Sequence, residues 1–201
     1  GQVQFLSETY HHSLAFLYSR DEFLEQIEQH DALVEDLFGQ KPTIFRNTEL
    51  IYNNDLAHYI ASLNRYRAIL SEGVDRVLQG RPTSRMYHPP RTPDMKVLLK
   101  HYRLSDDIAF RFADRSWTHW PLTAEKYTQW VDDIAEQDDA NASPMCNIFM
   151  DMEAIGEHQP SETGIFQFLA ALPEQLIAAG HRFCTMDQLI DQAGDSDEFD
   201  A

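Results

Sequence analysis

Basic residues are scarce in this chain: 16 lysines and arginines stand against 33 acids, for a formal net charge of −17. A surface that negative repels a phosphate backbone, which excludes nucleic-acid partners, whereas a neutral ligand such as a carbohydrate meets no repulsion. Cysteine is nearly absent. Cys146 and Cys184 are too few for a disulfide framework, and their apolar neighbours predict buried, inert thiols. No apolar run approaches the roughly 18 residues that cross a bilayer, and no signal peptide opens the chain, so a cytoplasmic protein without a membrane partner is expected. Internal repeats, low-complexity segments and spaced histidine motifs are lacking too, and neither a metal nor another cofactor is expected. The chain opens at Gly1 without a methionine and runs straight into a strand-like segment, so a native amino terminus is expected to be missing.

What is present is material for a core: 201 residues, 43% of them hydrophobic, enough for one compact domain or most of one. Phe23, Ile27, Val34, Leu37 and Phe38 predict an amphipathic helix over 21–38, stopped by Gly39. Strand-like segments at 3–6 and 43–46 flank that helix, the pattern of a parallel βαβ unit. Further strands are predicted at 68–70, 96–102, 146–150 and 183–185. Helices are predicted at 74–78, 105–112 with Ser105 as cap, 124–135, 161–171 and 173–179. A proline-rich connection covers 82–93 and a polar loop 138–143. The pattern gives an α/β fold with a mostly parallel sheet, and periodicity leaves open whether that sheet closes into a barrel. Asp195, Asp197, Glu198 and Asp200 mark 191–201 as an acidic polar tail, with 1–190 as the folded part.

Two carboxylates stand just past predicted strands, where an α/β barrel delivers side chains to its active-site face: Glu49 and Asp151. Two such acids can divide the cleavage of a glycosidic bond, one attacking the sugar and the other protonating the leaving oxygen. Arg46 or Asn47 would keep Glu49 ionised; the competing reading makes Glu49 a first-turn acid of a helix. Asp151, Glu153, Glu157 and His158 gather three acids and a histidine within eight residues. Between Met150 and Met152, Asp151 is expected to be partly desolvated, which raises a carboxyl pKa and suits it to general acid work.

His11 and His12, being adjacent, point in different directions and make a poor metal pair; one of them, His12, is a candidate for binding substrate hydroxyls. Glu153, His158, Tyr52, Trp117 and Trp120 complete the candidate substrate-binding set, the aromatic rings as platforms for the apolar faces of sugars. Trp130, on an apolar helical stripe, is core. His11, His12, Asp151 and His158 gathered around a metal, as in a polysaccharide deacetylase, remain an alternative without a supporting motif.

Residues 8–14, 45–54, 102–112 and 149–159 together resemble the α-amylase-type members of glycoside hydrolase family 57. The resemblance implies an incomplete TIM-like (β/α)7 barrel and a retaining mechanism on an α-glucan or maltooligosaccharide. It implies that Glu49 of Thr48-Glu49 is the nucleophile and that Asp151 is the general acid/base. Two departures accompany it. The opening strand with its His-Gln-Pro motif and the carboxy-terminal helical domain are missing, so the chain reads as an internal fragment of a longer enzyme. Met152, Ala154 and Ile155 stand where such proteins more often carry Tyr, Thr and Phe. These departures keep a non-catalytic glucan-binding homologue as the alternative, and nothing in the sequence sets an oligomeric state.

Overall fold

A computed structural model describes residues 3–137, 144–192 and 194–201. The polar loop expected at 138–143 lies outside them. Ser19 starts the first helix, α1 (Arg20–Phe38): its hydroxyl accepts the Glu22 N–H at 3.2 Å, and Asp21 and Glu22 face the positive end of the helix dipole. Gly39, at φ 65°, ends the helix by donating its N–H to the Glu35 carbonyl. Phe23, Ile27 and Val34 are buried as their spacing predicts, whereas Leu37 and Phe38 in the last turn are exposed. The buried face meets β1 (Ile44–Arg46), with the Phe23 and Phe45 rings edge-on at 5.8 Å.

The expected βαβ unit is present in reduced form. Ser7 makes a single parallel bridge to Phe45, and no strand forms over 3–6. Side chains explain this: the Phe5 N–H donates to Gln40 Oε1, Gln40 Nε2 donates to the Val3 carbonyl, and the Phe5 ring stacks on Phe38 at 3.8 Å. After β1 come α2 (Asn54–Ser62), β2 (Ala68–Glu72), α3 (Asp75–Leu78), β3 (Tyr87–His88) and β4 (Lys96–Lys100). They are followed by α4 (Tyr102–Ala109), α5 (Ala124–Gln137), α6 (Ile165–Ala178), α7 (Met186–Gln192) and β5 (Asp197–Glu198). The sheet order is β1-β2-β4-β3-β5; β1 and β2 are parallel, β3 runs antiparallel to β4 and parallel to β5. The fold is thus α/β with a mostly parallel sheet. No helix among the described residues is long and apolar enough to cross a membrane.

The chain divides into two compact units: Gly1–Arg81, Arg85–Leu99 and Cys184–Ala201 form one, Pro82–Ser84 and Lys100–Phe183 the other. The first has its core between α1, α2 and the sheet, where Ile44, Phe45, Ala57, Ile60, Ile69 and Leu99 are fully buried. The second packs α4, α5 and α6 around Leu104, Ile108, Tyr127, Ile165, Phe168 and Leu172. Of the one or two helices expected over 161–179, one forms: α6 runs through Pro173 unbroken. Ile165, Phe168, Leu172 and Leu176 form one buried stripe across it, and that burial outweighs the lost backbone bond. The runs at 146–150 and 183–185 form no strands. Phe183 is exposed, and Thr185 instead caps α7 by accepting the Gln188 N–H on its hydroxyl. Cys184 is exposed as well, against expectation, while burial pushes the Cys146 thiol up to about 12.

Within the acidic stretch Asp195, Asp197, Glu198 and Asp200 are exposed, but its end docks on the fold. β5 adds to the sheet, and Phe199, 1% exposed, inserts its ring against Tyr52 and Tyr87. On α7, Asp187 accepts from Gln4 Nε2 at 2.8 Å, Thr43 Oγ1 at 2.7 Å and the Arg67 guanidinium at 2.8 Å. Asp191 takes the other arm of Arg67. Thr43 and Arg67 immediately precede β1 and β2, so α7 clasps the starts of both parallel strands. Asp187→Ala should therefore lower the unfolding free energy by about 2–3 kcal/mol, the worth of charge-assisted bonds partly sheltered from water. The more exposed Asp191→Ala should cost under about 1 kcal/mol. Urea denaturation of both variants gives the comparison.

Candidate functional site

Glu49 sits in a tight turn built by its buried neighbours. The Asn47 side-chain N–H donates to the Ile51 carbonyl at 3.1 Å, and the Thr48 hydroxyl donates to the Ser13 carbonyl at 2.8 Å while lying 3.1 Å from the Thr9 hydroxyl. The 10–13 loop is anchored in turn by Gln26 of α1, whose Oε1 accepts the Ser13 hydroxyl at 2.8 Å and whose main-chain carbonyl accepts the Tyr10 N–H. Between these anchors the backbone is forced into the left-handed region at three non-glycine residues: His12 (φ 51°), Glu49 (φ 56°) and Leu50 (φ 53°). Such conformations cost of order 1–3 kcal/mol each and persist only where the surroundings over-determine them. Glu49 is therefore not the first-turn acid of a helix. α2 begins later, capped by Asn53, whose side chain accepts the Leu56 N–H at 2.8 Å.

The turn aims the Glu49 carboxylate outward, 73% exposed, and brings it to His12, whose Nε2–H donates to Glu49 Oε1 at 3.0 Å. The His12 hydrogen bond outweighs an opposing desolvation and, with the lesser help of the His12 and Arg46 charges, holds the Glu49 carboxyl below its ordinary range. Neither expected partner makes this contact: Asn47 bonds the backbone, and Arg46 donates to Glu8 Oε2 at 2.9 Å. Glu8 Oε2 also lies 3.8 Å from His12 Nδ1. Glu8 and Gln26 were not anticipated as part of this cluster. The spacing of Glu8 and His12, four residues apart in a polar stretch, was the available signal.

Glu49→Gly should raise stability by about 1 kcal/mol, the strain relieved at a left-handed residue less the extra backbone entropy of glycine. Thermal unfolding measures it. A gain in stability from deleting a site residue is the mark of strain kept for function.

Asp151 belongs to the other unit, on a loop held against α4. The His101 N–H donates to the Asn147 carbonyl at 2.8 Å, and Ser105 Oγ accepts the Phe149 N–H at 3.1 Å. Ser105 is thus not the helix cap; its hydroxyl donates back to the His101 carbonyl, and His101 Nδ1 caps α4 by accepting the Leu104 N–H. Burial lowers the His101 pKa and keeps the ring neutral for that acceptor role. Farther along, Gln159 is buried and donates its side-chain N–H to the Ala109 carbonyl at 3.0 Å. Between these ties a turn over Met152–Ala154 buries Ala154 and turns Asp151, Glu153 and His158 to solvent. The expected desolvation of Asp151 is corrected: Met152 is 77% exposed and does not cover it.

Among the aromatic candidates, Tyr52 is no open platform. Its ring packs edge-on to buried Phe199 at 5.3 Å, its hydroxyl is buried, and burial with nearby Asp200 pushes the phenol up. Trp117 is half-buried, edge-on to Trp130 at 6.0 Å, with the Arg111 guanidinium 5.9 Å from its ring centre. Arg111 is fixed by a 2.6 Å bond to Asp107 Oδ1. Trp120 is 42% exposed and offers an accessible face, with Arg115 at 5.6 Å. Trp130 packs with the core of its unit, as expected. No group of three or more His, Cys, Asp or Glu suited to a metal occurs among the described residues.

The sequence matches the family described as Glycosyl hydrolase family 57 over residues 1–200. It is 44% identical over 182 residues to a protein of Methanocaldococcus jannaschii called "Putative alpha-amylase", an alignment covering 90% of this chain and 37% of that protein. The chain thus spans little more than a third of the length of this curated relative. The fold is shared with the GH57-type branching enzyme of Pyrococcus horikoshii (TM-score 0.75, 14% identity, 98% of this chain and 46% of that one). It is shared too with the 4-alpha-glucanotransferase of Thermococcus litoralis (TM-score 0.69, 12% identity, 99% of this chain and 30% of that one).

Proposed function

The chain belongs to glycosyl hydrolase family 57, and from that membership we propose that it carries the catalytic carboxylates of a retaining enzyme acting on α-glucans, by hydrolysis or glycosyl transfer. The observation that carries this reading is Glu49: an exposed carboxylate, held ionised by a histidine, on a turn whose backbone is strained at the carboxylate itself. An ionised carboxylate free to reach a sugar is what a glycosyl nucleophile requires. The names of its relatives, a putative alpha-amylase, a branching enzyme and a 4-alpha-glucanotransferase, support an α-glucan substrate.

In the first step Glu49 attacks C1 of the sugar, the bond from C1 to the leaving oxygen breaks, and Asp151 gives that oxygen its proton. In the second, Asp151 takes a proton from water or from an acceptor sugar hydroxyl, whose oxygen attacks C1 and returns the electron pair to the Glu49 carboxylate. Retention requires the two carboxyl groups roughly 5 to 5.5 Å apart when substrate is bound. Two inversions at C1 return the α anomer. Following maltooligosaccharide turnover by proton NMR should show the α product first; β product first would overturn the reading. Products longer than the substrate would mark transfer.

A further inference from the structure

We propose that His12 is a positioning residue for Glu49: it occupies Oε1 and leaves Oε2 as the attacking oxygen, while Glu8, pinned by Arg46, holds the imidazole in place. The inference rests on the reading of Glu49 as the nucleophile. His12 Nε2 lies 3.0 Å from Glu49 Oε1, Glu8 Oε2 lies 3.8 Å from the opposite ring nitrogen, and Arg46 lies 2.9 Å from that same Glu8 oxygen. The His12 imidazole thus has a carboxylate at each ring nitrogen, and Arg46 pairs with one of them.

Stability does not account for this arrangement. An exposed ion pair contributes about 0–1 kcal/mol, whereas two left-handed non-glycine residues, His12 and Glu49, cost of order 1–3 kcal/mol each. The contact is held by the buried hydroxyls and amide of Thr9, Thr48 and Gln26, which fix both backbones. A geometry maintained at a net loss is one kept for what it does.

Its use follows from the bonds that change. When Glu49 Oε2 bonds C1 and the leaving oxygen departs with its proton, Oε1 becomes the carbonyl oxygen of the glycosyl ester and still accepts the His12 N–H. When the C1–Oε2 bond breaks, the returning electron pair is shared with Oε1, where the same N–H stabilises it. A donor fixed on one oxygen also keeps the carboxylate from rotating, so attack does not wait on the side chain.

His12→Ala should lower kcat by about 10- to 100-fold, the scale of one charge-assisted hydrogen bond, with KM little changed. His12→Gln, which keeps an N–H donor, should recover most of the loss. Carbon-13 NMR titration of the Glu49 carboxyl, independent of turnover, should show its midpoint below the ordinary range in the unaltered protein, risen in His12→Ala, and intermediate in His12→Gln. A midpoint unmoved in His12→Ala would overturn the inference.

The deciding structure is that of the protein trapped with a ring-fluorinated glucosyl fluoride, which slows the second step. C1 bonded to Oε2 with Oε1 on His12 is the expected result. An adduct through Oε1, or one with His12 detached, overturns the inference while sparing the nucleophile. No adduct on Glu49 overturns the reading beneath it as well.

Discussion

On the proposed role of Glu49 as nucleophile, Glu49→Gln should lower turnover of maltooligosaccharides by about 10⁴-fold or more, the scale at which removal of a covalent nucleophile is felt, and leave the fold intact. The carboxamide keeps the size and most contacts of the glutamate but does not form the glycosyl-enzyme. The fold does not lean on this carboxylate: the side chain is 73% exposed and, among the described residues, its hydrogen-bonded side-chain partner is His12. Circular dichroism and substrate binding by calorimetry should match the unaltered protein while initial rates collapse. The acid side of the rate profile also carries information. A nucleophile whose folded pKa is depressed stays ionised to lower pH, so activity persists below the ordinary glutamate range and is lost as pH falls through the lowered value. In His12→Ala that acid limb should move up.

On the proposed role of Asp151 as acid/base, Asp151→Asn should lower turnover of the same substrates by about 10²- to 10⁴-fold, the usual contribution of general acid–base catalysis, with a loss that depends on the leaving group. With α-glucosyl fluoride the first step needs no proton donor and survives. The second step still needs a base, so the glycosyl-enzyme accumulates, and intact-protein mass spectrometry should detect it on the chain. An Asp151 variant that loses fluoride and oligosaccharide turnover equally, with no adduct, would not be an acid/base variant. Asp151 reaches solvent from a loop tied at both ends to α4, through Ser105 and Gln159, so its replacement leaves those ties in place.

The parts legible in the sequence were those where local chemistry and tertiary burial agree. α1 announced itself by Phe23, Ile27 and Val34 and by Gly39, all of which act as their types predict. β1, β2 and β4 showed as short apolar runs. The runs at 146–150 and 183–185 have the same composition yet form no strands: the Phe149 N–H bonds Ser105 of α4, and the Thr185 hydroxyl caps α7. Apolar content alone does not separate the two cases. α2 went unread since its one strong cue, the Asn53 cap, lay inside a motif read for chemistry. β5 was hidden by its acids, with Phe199 as the only clue.

At the site, Glu49, Asp151 and His12 were named from the sequence, but the bond between His12 and Glu49 was not foreseeable. It depends on left-handed backbone at both residues, and neither is a glycine or asparagine that would have flagged it. Desolvation of Asp151 was misjudged for a related reason: flanking methionines shield a carboxylate only if the chain folds them over it, and the turn after Asp151 sends Met152 outward.

The division of labour between the two acids is tested most directly by azide rescue of Glu49→Ala and Asp151→Ala on α-glucosyl fluoride, with the anomeric configuration of the product read by proton NMR. If Glu49 is the nucleophile, azide fills its place and Glu49→Ala yields β-glucosyl azide. In Asp151→Ala, azide attacks the intact glycosyl-enzyme and yields the α anomer. The opposite pairing of variant and anomer, or no rescue of either, would contradict the assignment.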